Sequence, residues 1–200
     1  MKTPFNIKHY SMSKICCLIG FCFLCSYSWA QDAEPKKHPF AVYAGVGPNY
    51  YFNNLVKFKN EVNEFQYSFV GRFMWEPEHL LSIGFETGYY RLYSVKANGP
   101  NQSSVRNSAV PFQLVVGMKF LKSFYYNFSI GRSLLINDIT TNADGEYDAT
   151  VFSLADFTNT IGYRKKLNDR FSLGSELKLF YSSKATDMNL ALAFVAGYSF

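Results

Sequence analysis

Few side chains in this 200-residue sequence are placed to do covalent chemistry. All the cysteines, Cys16, Cys17, Cys22 and Cys25, lie near the start, and beyond residue 30 the histidines are His38 and His79 alone. No Ser-His or Cys-His pair can form from such a set at the outer strand ends, which leaves a carboxylate as the conceivable base. No Gly-rich phosphate loop or metal-spaced His pair occurs either, so the sequence predicts no enzyme, no cofactor and no metal site. Asp138, Asp144, Glu146 and Asp148 cluster in one segment, but without a complete twelve-residue calcium loop they read as a solvated acidic loop. Six other charges carry more information. Arg72, Glu86, Lys119, Asp156, Glu176 and Lys178 share the parity of small and polar residues and oppose the large apolar ones.

That parity belongs to strands. Eight segments alternate with period two between turn-forming clusters: Pro39 to Pro48, Glu64 to Trp75, Leu80 to Tyr93, Ser108 to Phe120, Phe124 to Leu135, Thr150 to Tyr163, Arg170 to Ser182 and Met188 to Phe200. The last is the most regular. Met188, Leu190, Leu192, Phe194, Ala196, Tyr198 and Phe200 share one face, and Asn189, Ala191, Ala193, Val195, Gly197 and Ser199 share the other. In Ser108 to Phe120 the large face is Val110, Phe112, Leu114, Val116, Met118 and Phe120, against Pro111, Gln113, Val115, Gly117 and Lys119. Thr150 to Tyr163 is ambiguous, because Phe152 and Leu154 share parity with Asp156, Thr158 and Thr160.

Residues 1–30 read as a secretory signal, with Lys2, Lys8 and Lys14 ahead of an apolar run and Ser28-Trp29-Ala30 as the cleavage site. Either Met1 or Met12 serves as the start. Setting those three lysines aside leaves seventeen basic and fifteen acidic side chains, a balance that gives no case for nucleic-acid binding. Cys22 follows Phe21 and Cys25 follows Leu24, which is a poor context for lipidation. About 170 residues remain, enough for one domain over 31–200. No later segment is apolar for long enough to span a bilayer as a helix, so insertion has to be by a closed barrel.

Connection lengths agree with that reading. Asn49 to Asn63, Ser94 to Asn107 and Ile136 to Ala149 are long and polar, whereas Glu76 to His79, Leu121 to Ser123 and Arg164 to Asp169 are short. From a periplasmic N-terminus, every long connection falls outside the cell. Trp75, Phe120, Phe124, Tyr163, Phe171, Tyr198 and Phe200 mark inner ends, and Tyr50, Tyr51, Phe65, Tyr89, Tyr90, Tyr93 and Tyr181 outer ends, as two aromatic girdles require. The competing architecture is a soluble lipocalin-type barrel with apolar residues inside. Its exterior would then be Gly, Ser and Ala with few charges, a poor soluble surface.

The terminal Tyr198-Ser199-Phe200, together with the strand and loop pattern, resembles the small outer-membrane β-barrels, the OmpA transmembrane domain and OmpX among them. The stretch Val110-Pro111-Phe112-Gln113-Leu114 through Lys119-Phe120 resembles the PorT-like outer membrane protein β-barrel families. The resemblance covers residues 31–200. It implies an all-β, eight-stranded antiparallel up-and-down transmembrane barrel in the outer membrane of a Gram-negative cell, exported with its signal removed after Ala30. It also implies that the barrel-assembly machinery reads Phe194, Tyr198 and Phe200.

The expected function is binding or structural, adhesion or support of an envelope complex, exercised by the extracellular loops. Tyr50, Tyr51, Phe52, Leu55, Val56 and Phe58 make the first loop apolar enough for a protein partner. The alternative is a narrow porin-like channel. In either case Arg72, Glu86, Lys119, Asp156, Glu176 and Lys178 form a charge network in the lumen, a plug in the first reading and a gate in the second. Arg91, Arg106 and Arg132 share parity with apolar positions near outer strand ends, where guanidinium groups suit the phosphates of lipopolysaccharide.

Overall fold

Long alternating strands with no interior helix-forming run have one way to satisfy their backbone in lipid, which is to close on themselves. In the computed structural model they do so. The structure describes residues 38–52, 62–77, 81–97, 103–121, 123–141, 145–183 and 187–200. The expected signal over 1–30 lies outside these, as do His79, Asp144 and the apolar Leu55, Val56 and Phe58.

The strands are β1 (Phe40–Phe52), β2 (Val62–Asn63), β3 (Phe65–Trp75), β4 (Leu81–Ala97), β5 (Ser103–Phe120), β6 (Phe124–Thr141), β7 (Gly145–Phe152), β8 (Asp156–Lys166), β9 (Phe171–Ser182) and β10 (Asp187–Ser199). All pairings are antiparallel, and the ring runs β1-β3-β4-β5-β6-β8-β9-β10 and back to β1. With β2 leading into β3 and β7 into β8, the wall is an eight-stranded closed barrel. Its seam is the β1–β10 ladder, from Ala41 opposite Ser199 to Phe52 opposite Met188. Backbone bonds finish the seam: Phe200 N donates to Phe40 O at 2.8 Å, and Phe40 N to Phe200 O at 3.3 Å.

The large residues point outward. Val42, Val46, Phe69, Phe73, Ile83, Phe85, Leu114, Val116, Ile130, Leu177 and Phe194 are all exposed around the outer wall. The small and polar set, including Ser68, Gln113, Ser129, Thr158, Ala191 and Ala193, is buried in the lumen. This is the inverse of the lipocalin arrangement.

Several strand ends lie well beyond their expected limits. β4 continues to Ala97, β5 begins at Ser103 and β6 runs to Thr141, with Ala97 opposite Ser103 and Ser103 opposite Thr141. Much of the two long connections expected at Ser94 to Asn107 and Ile136 to Ala149 is therefore sheet. Those residues stand above the apolar band with water on both faces, so nothing forces one parity to be apolar. Likewise Tyr50, Tyr51 and Phe52 belong to β1 rather than to a loop, and Tyr51 is buried inside the barrel.

The ambiguous sixth segment is two strands joined by a bulge. Leu134 pairs with Phe152 and Gly131 with Asp156, so three residues, Ser153 to Ala155, face two, Arg132 and Ser133. The extra residue flips the parity. Phe152 and Leu154 are exposed whereas Asp156, Thr158 and Thr160 are buried. Ser133 N donates to Ser153 Oγ at 2.7 Å, Ser153 Oγ to Asp156 Oδ2 at 2.6 Å and Ser183 N to Asp156 Oδ1 at 3.2 Å, pinning the junction.

Candidate functional site

Along β3 and β9 the inward positions stack in layers. In the middle, Arg72 of β3, Glu86 of β4, and Glu176 and Lys178 of β9 meet. The Arg72 guanidinium forks onto Glu176, with both N–H···O distances at 2.9 Å, and its Nε donates to Glu86 at 2.7 Å. Lys178 Nζ lies 2.7 Å from both Glu86 oxygens and 3.5 Å from Glu176. Tyr125 OH donates to Glu176 as well. Two acids and two bases thus neutralise one another where all four side chains are almost wholly buried. Each buried ion has the partner that makes burial tolerable.

Nearer the short turns, a second cluster gathers around Glu76, which directly follows β3. Tyr43 OH donates to Glu76 Oε1 at 2.7 Å, Arg164 reaches the same oxygen at 3.3 Å, and Lys119 bonds Oε2. The Arg164 guanidinium lies between two rings, 4.3 Å from the Tyr43 centroid and 4.9 Å from that of Tyr125. Two glycines make that sandwich fit. A Cβ at Gly197 would overlap the Tyr43 ring, and one at Gly162 the Tyr125 ring.

Above the quartet the lumen becomes apolar. Tyr51, Val70, Tyr90, Leu92, Leu135 and Phe180 form one cluster, with Tyr90 and Phe180 stacked at 5.2 Å. Leu92 joins it through a register shift in β4 between Arg91 and Tyr93.

Of the six charges with inward parity, four make the quartet, Lys119 joins the Glu76 cluster, and Asp156 pins the β7–β8 junction apart from both. Glu76, Arg164, Tyr43 and Tyr125 were not singled out from sequence. The first two fall in expected turns, and the rings read as strand composition; an acid opening one expected short turn and a base opening another, both at the same end of the barrel, was the available signal.

The three outer arginines are not brought together. Arg91 lies 5.7 Å over Tyr67 and is level with Ser108, and Arg106 stands two residues further along β5 opposite Ser94. Arg132 is opposite Phe112, six residues along β5 from Arg106, and is engaged by the bulge: its Nε donates to Ser153 O at 3.0 Å and its guanidinium lies 6.0 Å over Phe152. At the other end Tyr198 packs on Phe171 and Phe200, and Phe200 on Phe40 and Phe73, while Phe194 faces outward.

Beyond the apolar band, β4, β5, β6 and β7 rise as a wall, with β2 laid along β4 at Val95 and Ser94. β7 pairs β6 and, among the described residues, no other strand. Its residues from Tyr147 to Phe152 are all exposed, and Leu154 beyond them is 77% exposed. Ser153 N donates to Ser133 O at 2.8 Å. Alternation then turns the amides of Tyr147, Ala149 and Val151 toward β6 and those of Asp148, Thr150 and Phe152 toward the open edge.

A ring of strands with apolar side chains outside and a neutralised ion quartet inside belongs in lipid, not water. This is the architecture of a small outer-membrane β-barrel. Solved structures similar to the chain include Ail, the attachment invasion locus protein of Yersinia pestis, at 6% identity, with 80% of this chain and 97% of that chain covered and a TM-score of 0.49. Neisserial surface protein A is 11% identical, with coverage of 85% and 100% and a TM-score of 0.47. The N-terminal barrel domain of Pseudomonas aeruginosa OprF is 10% identical, with coverage of 84% and 100% and a TM-score of 0.46. No family model and no curated protein matches the sequence.

Proposed function

We propose that this barrel is an interaction protein of the outer membrane whose working surface is the wall β4–β7, and that a partner adds an extended strand to the free edge of β7. The observation that carries the reading is that β7, among the described residues, is paired on one side only. Exposed edges invite pairing with other chains, and proteins ordinarily cover, shorten or charge them. Here the edge strand has eight residues and exposes Tyr147 and Val151 on one face and Phe152 on the other. Main-chain bonds would supply affinity and the alternating side chains selectivity.

Thr150→Pro tests this directly, because it deletes an amide aimed at the open edge and leaves the β6 ladder intact. Peptides selected from a displayed random library on the wild-type barrel in nanodiscs are expected to lose binding to the variant. Equal binding to both would defeat the reading. In the same reading Phe194 and Tyr198 of β10 and Phe200 just after it are the assembly signal. It leaves Arg91 and Arg106, but not the bulge-bound Arg132, to meet lipopolysaccharide phosphates.

The channel alternative requires the quartet and the Tyr90–Phe180 cluster both to move aside. Planar-bilayer recordings of the refolded protein are expected to be silent. Discrete conductance steps would restore the channel and make the quartet its gate.

A further inference from the structure

We propose that the segment completing the wall beside β7 alternates basic and large apolar side chains, the basic ones on the outer face beside Asp148 and the apolar ones on the lumen side beside Tyr147, Ala149 and Val151. This inference rests on the edge reading above and names the chemistry that the edge selects. The lane to be filled is bounded. At its lower end β9 already occupies it, with Ser183 N donating to Ala155 O at 3.3 Å and Ala155 N to Ser183 Oγ at 3.0 Å. Above that point, from Phe152 to Tyr147, no described strand lies beside β7 on the side away from β6. A short extended segment fits there and meets the main-chain groups of Asp148, Thr150 and Phe152.

The register carries side-chain chemistry across to that lane. Residues directly opposite in an antiparallel pair share a face, so each row of the wall ends at a place the partner fills. On one face Tyr147, Ala149 and Val151 stand opposite Ile139, Asn137 and Leu135, and Leu135 is buried in the upper lumen cluster, which makes this the lumen side. The Tyr147 row is apolar across all five strands: Val62, Val95, Val105, Ile139 and Tyr147. Strands standing in water have no need of such a row, and its sixth place lies on the partner. Ala149 leaves a step between the exposed Tyr147 and Val151, where a large apolar side chain fits with diagonal contact to both. On the outer face the row runs Arg106, Asp138, Asp148. Two carboxylates thus stand directly opposite each other, an unfavourable pairing, and a basic side chain at the next place restores the alternation of sign.

Fluorescence polarisation with labelled hexapeptides, on the refolded barrel in zwitterionic nanodiscs and with empty nanodiscs as the blank, tests this. An alternating Lys-Phe peptide is expected to bind saturably, about tenfold more tightly than alternating Glu-Phe, alternating Lys-Ala, or a block of lysines followed by a block of phenylalanines. Asp148→Lys should reverse the order of the Lys-Phe and Glu-Phe peptides, and Thr150→Pro should abolish the binding of both. Equal affinity for all these peptides, or an order that Asp148→Lys leaves unchanged, overturns the inference. Failure of the edge itself is read separately. If no hexapeptide binds up to about 1 mM while library-selected peptides bind wild type but not Thr150→Pro, the edge stands and this chemistry falls. If the library-selected peptides bind both proteins equally, both fall.

Discussion

The lumen and the wall above it follow opposite rules. Inside, Arg72, Glu86, Glu176 and Lys178 satisfy one another, and an apolar cluster seals them from the outer side. On β7 a whole row of backbone groups has, among the described residues, no strand beside it, and the side chains on both faces are exposed. The interior is thus committed to holding one shape. The wall is left unfinished, and a strand left unfinished in water is where a second molecule can complete the sheet.

The sharpest way to break the interior is Glu176→Gln. It leaves Arg72 and Lys178 sharing Glu86 as their one remaining acid, and should cost about 3–5 kcal/mol in urea unfolding from micelles. A loss under about 1 kcal/mol would mean that water already reaches the quartet and that the lumen is not sealed.

Ala149→Pro comes next. It removes an amide aimed at β6 and should weaken the β6–β7 ladder by about 3 kcal/mol, read as faster hydrogen exchange in the upper part of β6, while the barrel below keeps its unfolding midpoint. Thr150→Pro, one residue on, should change neither. If the two variants behaved alike, the assignment of the open edge would fail.

Asp156→Ala probes the junction between the regions. It strips acceptors from Ser153 Oγ and Ser183 N and should cost about 1–3 kcal/mol, felt first in β7 exchange rates. The smallest effect concerns the turn after β5, where Leu121 sits at φ 49° with its side chain 79% exposed. Leu121→Gly relieves that backbone and should shift stability by less than about 1 kcal/mol in either direction, since glycine also loosens the unfolded chain.

The barrel itself was legible because lipid outside and a narrow lumen inside impose different residue sizes on alternate positions, as in Met188 to Phe200. Where that contrast ends, legibility ended too. Ser103 to Asn107 and Ile136 to Thr141 are strands in water, so their alternation marks no face. Phe152 and Asp156 read as conflicting because a strict period of two was carried through a bulge. Glu76 and Arg164 escaped notice because each lies at the margin of an expected turn, and a mouth cluster is assembled from strand ends remote in sequence.

That bulge between Ser153 and Ala155 acts as a clutch. Below it, even-numbered residues of the strand engage the lumen; above it, even-numbered residues face away. Residues can be gained or lost in β7 above that point without turning any side chain of β8. Removing Leu154 alone would leave two residues facing two and restore unbroken alternation, with Phe152 still outside and Asp156 still in the lumen.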